Sequence, residues 1–249
     1  MPSSRHIDAC AIVVSSFDGF ADLWKPFFTL LFRYWPDCPY PIYLISNEKT
    51  YNDPRVTTLA IGADGKWANN LFAALDQISA THIIYMQDDF LLTRSVDTAK
   101  IQTFANHAIK NNIACIHLFP GTGPDADYPE AGLGIISKHA DYRVSLQSVL
   151  WDVKKLRELM QKGESGWDME FRGTERSREI EGIFLSVYEP AINYIEGATK
   201  GKWNIPALWH CFKEGVRCKL TARGINFGGL YRAQKDRLRK TVKKLIGVL

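Results

Sequence analysis

Ile83-Ile84-Tyr85-Met86-Gln87-Asp88-Asp89-Phe90 is an apolar, β-rich run that ends directly in two carboxylates. A short apolar run of this kind reads as a strand buried on both faces, the type found in parallel sheets. The strand begins at His82. Upstream of it, Lys66 to Ser79 reads as an amphipathic helix, with Trp67, Leu71, Leu75 and Ile78 on one face. Further upstream, Ile7 to Ser15 is a strand and Leu23 to Tyr34 a helix ending near Pro36. Pro41 to Ile45 and Arg55 to Ile61 are two further strands. This order predicts one α/β domain with a mostly parallel, Rossmann-like sheet flanked by helices. Ligands of such sheets bind at the carboxyl ends of the strands. Those ends carry polar clusters here, with Ser15-Ser16-Phe17-Asp18 after the first strand, Asn47-Glu48 after the second and Gln87-Asp88-Asp89 after the fourth.

Downstream of Asp89 the pattern is mixed. Asp97 to Lys110 reads as a helix and Ile113 to Leu118 as a strand. Phe119 to Glu130, with two Gly, three Pro and two Asp, reads as a loop. Strands are expected at Leu133 to Ser137, Arg143 to Val149 and Pro190 to Ile195. Helices are expected at Asp152 to Gln161, with Asp152 as N-cap, at Trp167 to Arg178 and at Pro206 to Lys213. Gly121-Thr122-Gly123-Pro124 lacks the Lys-Ser/Thr ending of a phosphate loop.

The chain has 249 residues, 46% of them hydrophobic and 23% charged, which is globular usage and argues against disorder. Its seven Trp suit either a large core or a stacking role towards sugars. Five Cys without close pairing suggest free thiols in a reducing compartment rather than a zinc site. The N-terminus lacks a signal-peptide pattern and no apolar run could span a bilayer, so a cytoplasmic location is expected. The net charge of +4 is uneven: between Arg232 and Leu249 seven bases face Asp236 alone, which leaves the rest mildly acidic. The expected division is therefore a domain over 1–223 and a basic tail over 224–249. In the tail Leu238, Val242, Leu245, Ile246 and Leu249 share one helical face. A basic amphipathic helix suits peripheral attachment to an anionic membrane surface, here the inner face of the membrane. Few aromatics are interleaved with the bases, so nucleic acid is not an expected partner.

Two adjacent carboxylates leaving a core repel, and a cation or several donors must compensate them. Mg²⁺ and Mn²⁺ take such ligands, usually one or two carboxylates with substrate phosphates. The competing reading is a turn or helix cap made by either Asp. Asn70, on the helix before the strand, is a donor-site candidate, while Trp67 fits the core stripe.

The ordered set Trp67-x-x-Asn70-Leu71, Tyr85-Met86-Gln87-Asp88-Asp89-Phe90, Ser145-Leu146-Gln147-x-x-x-Trp151, Trp167-Asp168-Met169-Glu170, Gly173-x-x-Arg176-Ser177 and Gly201-Lys202-Trp203 resembles the small GT-A glycosyltransferases of bacterial surface-polysaccharide gene clusters and some large viruses. The resemblance spans roughly residues 10–215 of the sequence. It implies a GT-A-like fold and transfer of a sugar from a nucleotide-diphosphate sugar to a hydroxyl of a glycan or lipid-linked acceptor. In its register Gln87 stands where a D-x-D motif has its first Asp and faces the ribose, Asp89 reaches a metal and the diphosphate, and Asp88 braces the loop. Gln in place of Asp puts strict dependence on Mn²⁺ or Mg²⁺ in doubt. Glu170 matches the family's fixed Glu and is the expected general base of an inverting reaction, with Asp168 in reserve; both also suit the first turn of a helix. Arg143, Gln147, Arg172, Arg176, Lys202 and Trp203 are the expected diphosphate or acceptor contacts, and His210 a further metal ligand. Ser15, Ser16, Asp18 and Asn47 complete the expected donor site.

Two alternatives remain. A nucleotidyltransferase acting on sugar phosphates should carry a base-bearing Gly-rich loop after the first strand, where this chain has Ser15-Ser16-Phe17-Asp18-Gly19. A non-catalytic carbohydrate-binding protein has no use for a carboxylate pair beside a second acidic site.

Overall fold

A computed structural model describes residues 9–227. The basic tail, and with it the membrane expectation, lies outside the described residues. The chain opens with β1 (Cys10–Ser15), a 3₁₀ turn (Asp18–Phe20), α1 (Ala21–Tyr34), β2 (Ile42–Ser46), β3 (Val56–Ala60), α2 (Lys66–Leu75) and β4 (His82–Gln87). It continues through β5 (Phe90–Leu92), α3 (Thr98–Lys110), β6 (Ile113–His117), β7 (Ala126–Asp127), β8 (Leu133–Ile135), β9 (Val149–Asp152), α4 (Val153–Leu159) and α5 (Gly166–Arg176). It ends with β10 (Ile183–Val187), β11 (Tyr194–Glu196), β12 (Ala198–Thr199), β13 (Lys202–Asn204), α6 (Ile205–Lys213) and β14 (Ile225–Asn226).

Nine strands form the central sheet in the order β3-β2-β1-β4-β9-β6-β10-β8-β7. β3, β2, β1 and β4 run parallel, as do β6 and β10, while β9 lies antiparallel between β4 and β6. Successive side chains of a strand point to opposite faces, and the core divides accordingly. Ile12, Val14, Ile84, Met86 and Leu150 pack on one face with Phe27 and Leu31 of α1 and Phe104 of α3. Val13, Ile83, Tyr85, Val149 and Trp151 pack on the other with Leu71 of α2, Leu156 of α4 and Met169 of α5. The result is a mixed α/β molecule with helices on both faces of a mostly parallel sheet.

Two small sheets lie outside this frame. β11 pairs antiparallel with β5, placing Glu196 opposite Phe90. The Gly197 amide donates to the Asp89 carbonyl at 2.6 Å. A Cβ at residue 197 would sit 3.1 Å from that carbonyl, so the close approach favours glycine. β13 pairs with β12 and, in parallel, with β14. The body therefore continues to at least Asn226, past the boundary drawn at residue 223.

Most expected elements are present with shifted ends. The helix from Lys66 stops at Leu75, not Ser79. The expected strand over Arg143 to Val149 is instead an irregular segment followed by β9 at Val149–Asp152. Its amides are taken by helix side chains: Thr174 Oγ1 accepts from Val144 N at 3.1 Å and Glu170 Oε1 from Leu146 N at 2.8 Å. The strand expected over Pro190 to Ile195 is confined to Tyr194–Glu196.

Candidate functional site

Two clefts open at the carboxyl edge of β1 and β4 and meet at Trp67 and Gln87. The smaller, about 210 Å³, is lined by Ser15, Ser16, Phe17, Asp64, Asn70 and Asp88 among others. The larger, about 770 Å³, holds Asp89, Gln147, Trp167, Glu170, Glu196 and Lys200. Trp67 is thus not simply a core residue. Its Nε1 donates to the Tyr85 hydroxyl at 2.8 Å, which holds the ring as a wall between the clefts.

The end of β4 separates its polar side chains. Gln87 Nε2 donates to the Leu146 carbonyl at 3.1 Å. Asp88 is buried and accepts from Ser16 Oγ, which accepts in turn from Trp24 Nε1 at 2.6 Å. Burial, opposed by that hydroxyl, pushes the Asp88 carboxyl well above its usual range. Asp89 points into the larger cleft. Burial and then the charge of Glu196 push its carboxyl up to about 6.

Glu170 lies across the larger cleft from the end of β4. Its Oε1 accepts from Leu146 N at 2.8 Å and Ser145 Oγ at 3.3 Å, which fixes the carboxylate and leaves Oε2 to the cleft. Desolvation outweighs both bonds and raises its pKa. Gln147 accepts from the Tyr194 hydroxyl, and Tyr194 stacks on Phe90 with ring centroids 4.2 Å apart.

Other candidates are placed elsewhere. Asp168 is the acid of a capping box: it accepts from Ser165 N at 3.0 Å and Ser165 Oγ at 2.7 Å, while its own amide donates back to that hydroxyl. Those bonds hold its carboxyl below the usual range and keep it out of the cleft lining. Arg143 is buried over the Phe184 ring, donates to Ser177 O at 2.5 Å and lines neither cleft. Arg176 forks onto Glu164 at 2.9 and 2.7 Å and ties α5 to the preceding loop. Arg172 is exposed, 3.7 Å from Asp168. Trp203 is fully buried in the core and donates to Lys219 O, while Lys202 is exposed on β13.

Asp18 and Asn47 staple the loops after β1 and β2. Asp18 accepts from the amides of Asn47, Glu48 and Lys49 at 3.0 to 3.2 Å, and its amide donates to Asn47 Oδ1 at 3.1 Å. Asn70 does face the smaller cleft, held by Gly65 N at 2.9 Å and by Asp64 at 2.8 Å. His210 Nε2 donates to Leu92 O at 2.9 Å and does not line the cleft with Asp89. Among the described residues no group of three or more His, Cys, Asp or Glu is arranged to hold a metal.

Three features escaped the sequence reading. Glu196 and Lys200 reach the cleft because β11 pairs with β5, a long-range contact with no local signature. Lys200 and Gly201 both take positive φ, at 50° and 72°, in the two-residue turn that joins β12 to β13. Arg223 Nε donates to Asp22 at 2.8 Å, in an ion pair whose side chains are only 4% and 9% exposed, and its charge acts on both Asp88 and Asp89.

Fold and site together define a mixed α/β protein with paired ligand clefts at the carboxyl edge of a mostly parallel sheet. No family model matches the chain, and no curated protein matches it in sequence. Among solved structures it is similar to S. aureus TarS 1–349, at 11% identity and a TM-score of 0.51, over 76% of this chain and 60% of that one. A further TarS structure matches at 10% identity and a TM-score of 0.45, over 72% of this chain and 36% of that one. TarS 1–349 in complex with UDP-GlcNAc matches at 11% identity and a TM-score of 0.44, over 76% and 59%. The chain thus spans about three fifths of the first TarS structure, and the likeness is one of fold. Among the described residues no helix is long and apolar enough to cross a membrane.

Proposed function

We propose that the protein is a glycosyltransferase moving a sugar from a nucleotide-diphosphate sugar to a hydroxyl acceptor, with inversion at the anomeric carbon. The observation that carries this reading is the junction of two clefts at Gln87, with Asp89 and Glu170 facing one shared space. The smaller cleft takes the nucleoside beside Ser15, Ser16, Asp64 and Asn70. The diphosphate crosses the junction at Trp67 and Gln87, and the sugar lies in the larger cleft. Glu170 Oε2 accepts the proton of the acceptor hydroxyl, and the oxygen of that hydroxyl forms the new bond to the anomeric carbon. The bond to the diphosphate breaks on the opposite face, and the nucleoside diphosphate leaves with its electron pair. Holding the reactants in line supplies much of the rate.

The leaving diphosphate needs positive charge nearby. Lys200 in the larger cleft and Lys66 in the smaller are the cations of the lining. The donor set also fits a hard divalent cation: Asp89 and Glu196 line one cleft and repel, and Mg²⁺ or Mn²⁺ would relieve that repulsion and neutralise phosphate charge. Asp89 and Glu196 would hold such an ion, whose chemistry is neutralisation of the leaving group. A cytoplasmic setting, a polysaccharide or lipid-linked acceptor and attachment through the tail belong to the same proposal.

The test is a thermal-shift panel of nucleotide sugars with and without Mn²⁺, followed by detection of nucleoside diphosphate release and the anomeric configuration of the product. UDP-GlcNAc is the first donor to try, because TarS has been solved with it. No shift with any nucleotide sugar defeats the proposal, and a retained anomeric configuration defeats the inverting step.

A further inference from the structure

α5 carries more than Glu170. Residues three and four apart on a helix share a face, and Trp167, Glu170 and Phe171 stand in that relation. Trp167 is 70% exposed and lines the larger cleft, while Phe171 is 55% exposed beside it. Tyr142, 43% exposed, meets Phe171 with ring centroids 5.4 Å apart. The rings thus run from the cleft wall outward along the protein surface.

Two further observations mark this row as a built feature. Tyr142 adopts φ 53°, a left-handed conformation that is strained for a non-glycine residue. Thr122 Oγ1 holds that backbone through the carbonyls of Asp141 and Tyr142 at 3.1 and 3.2 Å. Backbone strain of this kind persists where the surroundings enforce it and concentrates at ligand sites. Charged residues adjoin the row: Asp168 and Arg172, 3.7 Å apart, follow Trp167 and Phe171 on α5, and Asp141 precedes Tyr142. A pyranose ring has flat patches of axial C–H and a periphery of hydroxyls, so it matches an aromatic row with charged edges.

We propose that Trp167, Phe171 and Tyr142 form an acceptor subsite that stacks successive sugar rings of a glycan and leads its terminal hydroxyl to Glu170. This rests on the transferase reading and names its acceptor class, an oligosaccharide rather than a lone lipid or a protein side chain. The row continues the cleft that holds Glu170, which argues for a substrate over a second copy of the chain. The exposed pair Trp209 and Phe212 on α6 stacks at 5.5 Å but lies outside the cleft lining, and serves as a control.

The experiment applies the labelled full chain to an array of immobilised oligosaccharides. Wild type is expected to bind a subset of glycans. Trp167→Ala and Phe171→Ala should each weaken that binding at least tenfold, with Trp167→Phe and Phe171→Tyr within threefold of wild type. Trp209→Ala should bind as wild type, and unchanged melting curves show that the exposed substitutions leave the fold intact. A blank array, alanine variants that bind like wild type, or equal loss in Trp209→Ala overturns the subsite. So does light scattering showing a dimer that Phe171→Ala dissolves. If nucleotide sugars stabilise the wild type while the array stays blank, the subsite fails and the transferase reading stands. If glycans bind through these rings but no nucleotide sugar does, the transferase reading fails instead.

Discussion

Asp89 and Glu170 are two carboxyls whose surroundings favour the neutral form, and that has consequences for both stability and rate. Asp89, raised to about 6 by burial and by Glu196, contributes fully to stability below the ordinary carboxylate range. That contribution is lost as pH rises through about 6. Asp89→Asn keeps the shape without the charge. It is expected to melt a few degrees above wild type at about pH 8, to approach it as pH falls to about 4 and below, and to lose transfer. Melting curves across that range check the claim, and a constant difference at every pH refutes the burial of charge. Glu170→Gln is expected to keep donor binding and lose roughly 10² to 10⁴ in rate, the usual scale of general-base catalysis. Single-turnover kinetics with saturating donor measure it, and near-normal transfer leaves Glu170 a purely structural anchor for Leu146.

At the scale of the element, α5 owes its start to Ser165 and Asp168 and its lateral hold to Arg176 and Glu164. Ser165→Ala removes one side of the capping box and should cost about 0.5–2 kcal/mol. In a molecule of this size each kcal/mol lowers Tm by about 2–4 °C. Transfer at a temperature below that melt should stay within severalfold of wild type; a loss on the scale of Glu170→Gln would mean that the cap also sets the position of the base. Arg223 joins the 3₁₀ turn at Leu220–Ala222 to Asp22 of α1, and stacks over Phe20 at 4.4 Å. Breaking a buried pair leaves an unpaired charge, so Arg223→Ala is expected to destabilise by about 3–5 kcal/mol, read as a lower urea midpoint. A midpoint within error of wild type would place Asp22 in contact with water.

For the whole molecule, the cleft is assembled from both halves of the sequence: Ser15, Trp67 and Gln87 come from the first, Gln147, Glu170 and Glu196 from the second. A ligand filling it bridges elements far apart in the chain. At a hundredfold excess over its Kd, a nucleotide sugar stabilises the native state by about 2.7 kcal/mol. The same donor should stabilise Glu170→Gln equally, since that residue meets the acceptor side, and a smaller shift in the variant would place Glu170 in donor binding.

The sequence by itself determined the layering. Alternation of apolar strands with amphipathic helices requires a sheet covered on both faces, and β4, α1 and α3 follow from it to within about two residues at either end. The acid of α5 and the abrupt end of β4 were also legible, because caps and strand ends are local chemistry. Only the tertiary structure decided which carboxylates share a space. Asp168 and Glu170 are two residues apart, yet a helix turns one to its own N-terminus and the other to the cleft. Arg143 and Trp203 look like surface contacts in one dimension and are consumed by the core. The segment 143–148 alternates like a strand, but Thr174 and Glu170 satisfy its amides. Glu196 arrives opposite Phe90, next to Asp89, through the pairing of β11 with β5, which spans about a hundred residues of chain. Local propensity carries no record of such a pairing, because its free energy comes from the contact itself.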